Sequence, residues 1–490
     1  MPPSLATLLW FIFLLLLLRF DPSKVLNTSP ALWVPTIWIF FTASRLPSQW
    51  LGGSVGTAAQ ALEEGNPLDR LIFSSLILLS VGILALRSFA WGRFFERNFA
   101  LFALLSFALV SVVWSDFPFV ALKRWIRDLG DYLVIFVVLS DPDPVHAITT
   151  VLRRLCYLLI PLSILLIKYY PQIGMQYSIW TGAKMYVGPT TGKNMLGVLC
   201  LVCGIFFFWH TVTNWHDRKN PRTRKILMVD AAFIWMTLWL LNHASSATST
   251  VCLTMGCLVI LAARSRISQR HPGFLKFMVP TAFCLYLILA FGFDINGDLA
   301  GAVGRDPTLT GRSNIWNAVL STHTNPVVGA GYESFWLGER LNQVWRMAGR
   351  VNEAHNGYLE VYLNLGFIGV FLLVFFMIAS YRVICKRISP SFSLASLSLA
   401  MWTIILFYNM TESAAFKGQF VWLIFVLVVV DIPTRPQPAY HSLFAENRQP
   451  TGQHARSANL SLPEIEVADA PGLAASIGVK RPSPRGKWQS

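Results

Sequence analysis

The sequence predicts an all-α, polytopic integral membrane helix bundle, and three observations carry that prediction. Hydrophobic residues make up 54% of the 490 positions and charged residues only 13%, against about 25% charged in ordinary soluble chains. Apolar runs recur at 5–20, 71–86, 100–114, 226–241, 251–263 and 367–379. Basic residues gather in short loops between such runs, at 87–97, 214–225, 264–276 and 381–387. A soluble globular enzyme does not have this composition.

Crossing ~30 Å of hydrocarbon takes roughly 20 helical residues, and the shorter runs are extended into the interface by flanking Trp, Tyr and small polar residues. The expected total is 12 to 13 transmembrane helices. The run at 5–20 has no basic leader before it and no Ala-x-Ala site after it, so it reads as a retained helix. The four basic loops should face the cytoplasm. Alternation then places 171–193, 294–354 and the stretch around Glu412 outside. The long external loop 294–354 holds five arginines against six acids, so the formal charge of +15 reflects topology and implies no nucleic acid.

Three regions follow: a first transmembrane bundle at 1–210, a second at 211–432 interrupted by the external loop, and a tail at 433–490. The tail is rich in Pro, Ser, Gly, Arg and Ala and is expected to be disordered and cytoplasmic. The seven cysteines lie in apolar runs or, for Cys385, in a cytoplasmic loop, so no external disulfide is expected. Cys200-x-x-Cys203 sits mid-span, where packing is the expected role. The external loop is too long for a mere connection. Leu337, Leu341, Val344 and Trp345 share one face of a helix, a spacing suited to the interface. Turns at Asn325-Pro326 and Gly329-Ala330-Gly331 would fold the loop back as a lid.

The residues able to carry chemistry gather where this loop re-enters the membrane, at Glu353-Ala354-His355-Asn356-Gly357-Tyr358-Leu359-Glu360. Asn356, Glu360 and Asn364 recur every four residues and draw a polar stripe down an apolar span. A carboxylate at membrane depth costs about 2.5–3.5 kcal/mol on insertion scales, so Glu360 is either functional or interhelical glue. His355, at the rim, can exchange protons near neutral pH. In Thr310-Gly311-Arg312-Ser313-Asn314-Ile315-Trp316, Arg312 offers a planar fork to phosphate oxygens.

Gly188-Pro189-Thr190-Thr191-Gly192-Lys193-Asn194 has the wrong glycine spacing for a nucleotide-binding loop, and no Ser or Thr follows the lysine. Lys193 is thus either a phosphate contact or an interfacial anchor. Lys123 and Arg124, with Arg127, fall near the external face against the positive-inside bias. Their partners would be lipid headgroups, Asp128 and Asp131, or an anionic substrate. His243 and His323 are expected to be structural. No grouping has metal-ligand spacing, so no metal and no cofactor are expected.

These segments resemble the O-antigen ligase and polymerase superfamily, including its exopolysaccharide polymerase branch. The resemblance rests on Gly311-Arg312-x-x-Ile315-Trp316, on Asn325-Pro326 with Gly329-x-Gly331, and on His355-Asn356-x-x-Leu359 followed by Gly366-x-x-Gly369. Upstream, Ser44-Arg45-x-x-Ser48-x-Trp50-Leu51, Trp114-Ser115-Asp116, Lys123-Arg124-Trp125, Ile167-Lys168-Tyr169-Tyr170-Pro171 and Lys193-Asn194-x-x-Gly197 are similar to the exopolysaccharide branch.

The resemblance implies a multi-pass protein of the bacterial inner membrane. It implies transfer of a glycan from a polyprenyl diphosphate carrier to a saccharide or glycolipid acceptor at the periplasmic face, without nucleotide or metal. Arg312 and His355 would be catalytic, on the leaving diphosphate and the acceptor hydroxyl. Lys193, Asn194, Asn356, Glu360, Arg124 and Lys123 would bind substrate. The stretch Ser245-Ser246-Ala247-Thr248 lacks the arginine that ligases carry beside a Ser-Arg pair, which favours polymerase over ligase. A flippase for lipid-linked saccharides is the alternative, although neither repeated halves nor broken midplane helices are visible.

Overall fold

A computed structural model describes residues 1–21, 28–52, 65–177, 182–292, 312–388, 392–413 and 419–431. The first half contributes α1 (Pro3–Phe20), α2 (Trp33–Ala43), α3 (Pro67–Leu86), α4 (Phe99–Val110), α5 (Pro118–Leu139) and α6 (Pro144–Tyr169). Next come α7 (Lys193–Asn214), α8 (Pro221–Ala244), α9 (Ala247–Arg264), α10 (Pro272–Gly292), α11 (Arg312–Ser321) and α12 (Gly338–Ala348). The chain closes with α13 (Gly357–Arg387), α14 (Phe392–Thr411) and α15 (Phe420–Val429). A hairpin of β1 (Met175–Tyr177) and β2 (Lys184–Tyr186) pairs antiparallel between α6 and α7. The protein is thus the all-α membrane type its composition demands.

Eight helices among the described residues are long and apolar enough to cross a membrane: α1, α3, α6, α7, α8, α9, α13 and α14. A ninth span arises if Trp91–Arg97 and Phe99–Trp114 are joined, although they bend by 87°. The segments Pro30–Ala43, Gly273–Leu285 and Phe420–Val429 are apolar but shorter. Helix α5 has the length of a span, yet Lys123, Arg124, Arg127, Asp128 and Asp131 fall within its first two thirds.

The core forms where α7 packs against α8, α9 and α14. All ten residues of α15 are buried there. By contrast α1 buries only Ala6 and Leu14 and presents Leu8, Phe11 and Leu15 outward, as a lipid-facing helix should. Residues 293–311, the first part of the expected external loop, and the tail at 433–490 lie outside the described residues.

The rest of that loop is tied into the bundle by backbone hydrogen bonds. Helix α13 unwinds at Gly366, where φ is 64°. There Ala330 and Gly331 donate to the carbonyls of Leu363 and Asn364, while Phe367 and Ile368 donate to Pro326 and Val327. A Cβ at Gly366 would lie 2.3 Å from the Val327 carbonyl, so only glycine permits this interlock.

The apolar face of α12 has a different use from the interfacial one its spacing suggested. Leu341 and Val344 are buried in a small core with Ile315, Phe335, Trp336 and Leu363. The helix packs on α11 instead of offering that face to lipid.

Candidate active site

The start of α13 and the end of α14 meet through their backbones. Gly357 N donates to the carbonyl of Glu412 at 3.1 Å, just past the last turn of α14. A Cβ at Gly357 would fall 1.9 Å from the Asn409 side-chain oxygen, so the close approach requires glycine. Asn356 caps α13, its side-chain oxygen accepting from the backbone of Tyr358 and Leu359 at 3.1 Å each. The residue before the cap, His355, takes the left-handed conformation at φ 49°, which turns the chain sharply out of the loop.

Glu412 is the hub of what results. Its Oε1 accepts from the Arg312 guanidinium at 2.8 Å and from the Asn194 amide at 3.2 Å. Its Oε2 lies 3.2 Å from His355 Nδ1, and Glu353 approaches the same nitrogen at 3.1 Å. Arg312, first residue of α11, and Glu412 are both buried, whereas the His355 side chain keeps 27% of its surface accessible. In the neutral ring, two carboxylates around Nδ1 favour the proton on that nitrogen, and Nε2, which has no hydrogen-bond partner among the described residues, then carries the lone pair.

Burial opposes the charged imidazolium, and the Arg312 charge adds to that. The Glu412 hydrogen bond and the charges of Glu353 and Glu412 outweigh both, so the His355 pKa is raised above its ordinary value.

Glu353, His355 and Glu412 also form a group whose ligand atoms all lie within 4.8 Å of one another. This compactness, which could hold a metal ion, is invisible in the sequence spacing because Glu412 is remote from the other two. Arg312 already places a positive charge on this carboxylate.

The other sequence-derived residues divide. Lys193 begins α7 beside Asn194, half-buried and without a hydrogen bond or ion pair among the described residues. Glu360 is 2% exposed; its carboxylate accepts from the Trp336 indole at 3.0 Å and from Ala354 N at 2.6 Å. Asn364 continues the stripe, accepting from Phe335 N at 3.2 Å and donating to the Glu360 carbonyl at 2.9 Å. This stripe thus pins the loop to α13 and holds the segment that carries His355. Arg124 donates to the backbone carbonyl of Glu333, and Lys123 is exposed on the same helix. Arg45 donates to the carbonyls of Ile173 at 2.7 Å and Thr190 at 3.2 Å, fastening the end of α2 to the segment before α7.

Sequence reasoning did not select Glu412 or Glu353 as functional. Glu412 is a lone acid between two apolar helices, and that isolation was the available signal.

Residues 231–374 match the O-antigen ligase family. That stretch includes Arg312, His355, Asn356 and Glu360 but neither Glu412 nor Lys193. The chain is also 25% identical over 311 residues to the exopolysaccharide production protein ExoQ of Rhizobium meliloti (strain 1021), a match covering 59% of this chain and 65% of that protein. The chain therefore spans just under two thirds of the length of this curated relative. Together the two matches support an O-antigen ligase/polymerase-like superfamily.

Proposed function

We propose that this chain is a glycosyltransferase of the bacterial inner membrane that moves a glycan from a polyprenyl diphosphate carrier to an acceptor hydroxyl at the periplasmic face. The observation that carries this reading is the sharing of Glu412 between Arg312 and His355. One carboxylate thereby positions an anion-binding guanidinium and a general base at the same place.

The acceptor oxygen attacks the anomeric carbon while its proton passes to His355 Nε2. The bond from that carbon to the diphosphate oxygen breaks, and the electron pair leaves with the carrier. Only one nitrogen of Arg312 is engaged by Glu412, and a guanidinium has five N–H donors, so the remaining donors serve the diphosphate together with Lys193. Glu412 and Glu353 stabilise the imidazolium until its proton passes to water. Asn356, Glu360 and Asn194 act by positioning.

The test supplies polyprenyl diphosphate-linked glycan to the protein in nanodiscs, without nucleotide and with a metal chelator present. Release of polyprenyl diphosphate with a longer glycan or a glycosylated lipid supports transfer, and the product separates polymerase from ligase. Movement of the intact substrate across liposomes without release would overturn it in favour of a flippase.

A further inference from the structure

A second polar constellation lies on α5, away from the hydrogen bonds of Glu412. Helix α5 shares with α2, α3 and the start of α7 a half-open cavity of about 210 Å³. Asp128 and Asp131, one helical turn apart, line it and are 4% and 6% exposed. Asp128 is satisfied, accepting from Arg127 at 2.9 Å and from the Tyr332 hydroxyl at 2.8 Å. Asp131 is not: Oδ1 accepts from the Trp38 indole at 2.5 Å, while Oδ2 has no hydrogen-bond partner among the described residues. A carboxylate this buried, with one oxygen held rigidly and the other unused, is poised to accept from a ligand.

The rest of the lining narrows the chemistry. Phe41 gives an apolar face, and Gln419 brings an amide that donates and accepts and has no hydrogen-bond partner among the described residues. Half-exposed Arg127 is already paired to Asp128, so the lining presents two buried carboxyl groups and no cation without a partner among the described residues. Such a lining offers a diphosphate no unpaired cation among the described residues and suits an uncharged ring with several hydroxyls on its edge and C–H groups on its face. Ligand pockets commonly run from about 300 Å³ upward, so this smaller cavity fits one sugar ring.

Its position supplies the link to catalysis. Thr191 and Met195 line the cavity, and Asn194, next to Met195 in the first turn of α7, donates to Glu412. We infer that this cavity seats a neutral ring of the acceptor saccharide, with Asp131 and Gln419 as its hydrogen-bonding residues. The assignment of the ring to the acceptor rests on the transferase reading above.

Two measurements test the pocket and that reading separately, using the full chain in nanodiscs. Ligand-observed saturation-transfer NMR with free glucose, galactose and N-acetylglucosamine needs no turnover. A saturable signal should appear for the wild type with at least one sugar, and Asp131→Asn and Gln419→Ala should each weaken it roughly 10-fold or more. The transfer assay should show the same two variants needing more acceptor for half-maximal transfer, with the half-saturating concentration of lipid-linked donor unchanged. Gln419 precedes α15 and makes no side-chain cap there, so its variant folds even if Asp131→Asn does not.

No saturable signal, or identical binding by the wild type and the Gln419→Ala variant, overturns the pocket and leaves the transferase reading standing. A raised donor requirement instead of an acceptor one overturns the acceptor assignment. Sugar binding by a wild type that releases no carrier sinks the transferase reading while supporting the pocket.

Discussion

Two trios of arginine, histidine and carboxylate sit at opposite ends of α7, and their contrast shows what separates a closed clamp from the proposed active site. Asn194 in the first turn touches Glu412, which holds Arg312 and His355. Near the last turn, about 24 Å away at 1.5 Å per residue, His210 Nδ1 lies 2.6 Å from Asp230. Arg153 reaches Asp230 at 3.3 Å and His210 Nε2 at 2.8 Å. All three members of the second trio belong to helix interiors, and Arg153 also donates to the Tyr157 hydroxyl. Both His210 ring nitrogens are engaged, and Asp230 is fully buried. The first trio is built from helix ends and a left-handed loop residue, and its histidine stays partly accessible, with one nitrogen unbonded among the described residues. The same kinds of group are closed in one place and partly accessible in the other.

The largest expected effect lies in the closed trio. Asp230→Ala takes from buried Arg153 its nearer carboxylate and leaves Asp21 at 3.9 Å, and breaking comparable buried pairs costs about 3–5 kcal/mol. The measurable outcome is loss of monodisperse protein on size exclusion and a lower Tm in detergent. A variant with wild-type Tm but no transfer would break the comparison, because Asp230 would then belong to the chemistry.

Next comes the open trio, where function should fall and folding should not. His355→Ala should lower turnover roughly 10²- to 10⁴-fold, the usual worth of a positioned proton acceptor, with the Tm close to wild type. Arg312→Ala should cost about 10²- to 10³-fold. Arg312→Lys should recover only part of this, because a lysine cannot bond Glu412 and a diphosphate with one planar fork. Carrier release and thermal melts on the same preparations separate the two effects, and transfer by His355→Ala at the wild-type rate would remove the histidine from the mechanism.

The unequal legibility of the two trios has a physical cause. Apolar runs report spans directly, and the stripe of Asn356, Glu360 and Asn364 was visible because a helix repeats every 3.6 residues. The backbone interlock at Gly366 left only glycines and a proline in the sequence, with no sign of which backbone met which. Glu412 lies 57 residues beyond His355, and no local spacing joins them. Asp230 is hidden differently: it falls inside the apolar run at 226–241, and averaged hydropathy hides a single charge. Treated as an ionisable residue at membrane depth, it would have demanded a partner, but not revealed that the partners were Arg153 and His210. Helix α5 misleads in the opposite direction, since its charges obscure a helix of spanning length.

The smallest expected effect is the sharpest test of how the open trio works. The Glu412 hydrogen bond and the charges of Glu353 and Glu412 raise the His355 pKa against the opposing effect of burial. The charged pair therefore adds stability at low pH, an addition that is lost as pH rises through the raised value. Catalysis has the opposite sign, because a base must be neutral to accept a proton, so turnover should climb with pH through that same value. Glu412→Gln keeps an acceptor for Arg312 and removes the charge beside Nδ1, and the acidic limb of the rate profile should move to lower pH. Glu353→Gln should move it in the same direction by less, since Glu353 is a weaker cause. The two limbs can be compared in one buffer series with wild type. If neither substitution moves the limb while Arg312→Ala still abolishes transfer, the titrating base is not His355, and Glu412 serves the arginine alone.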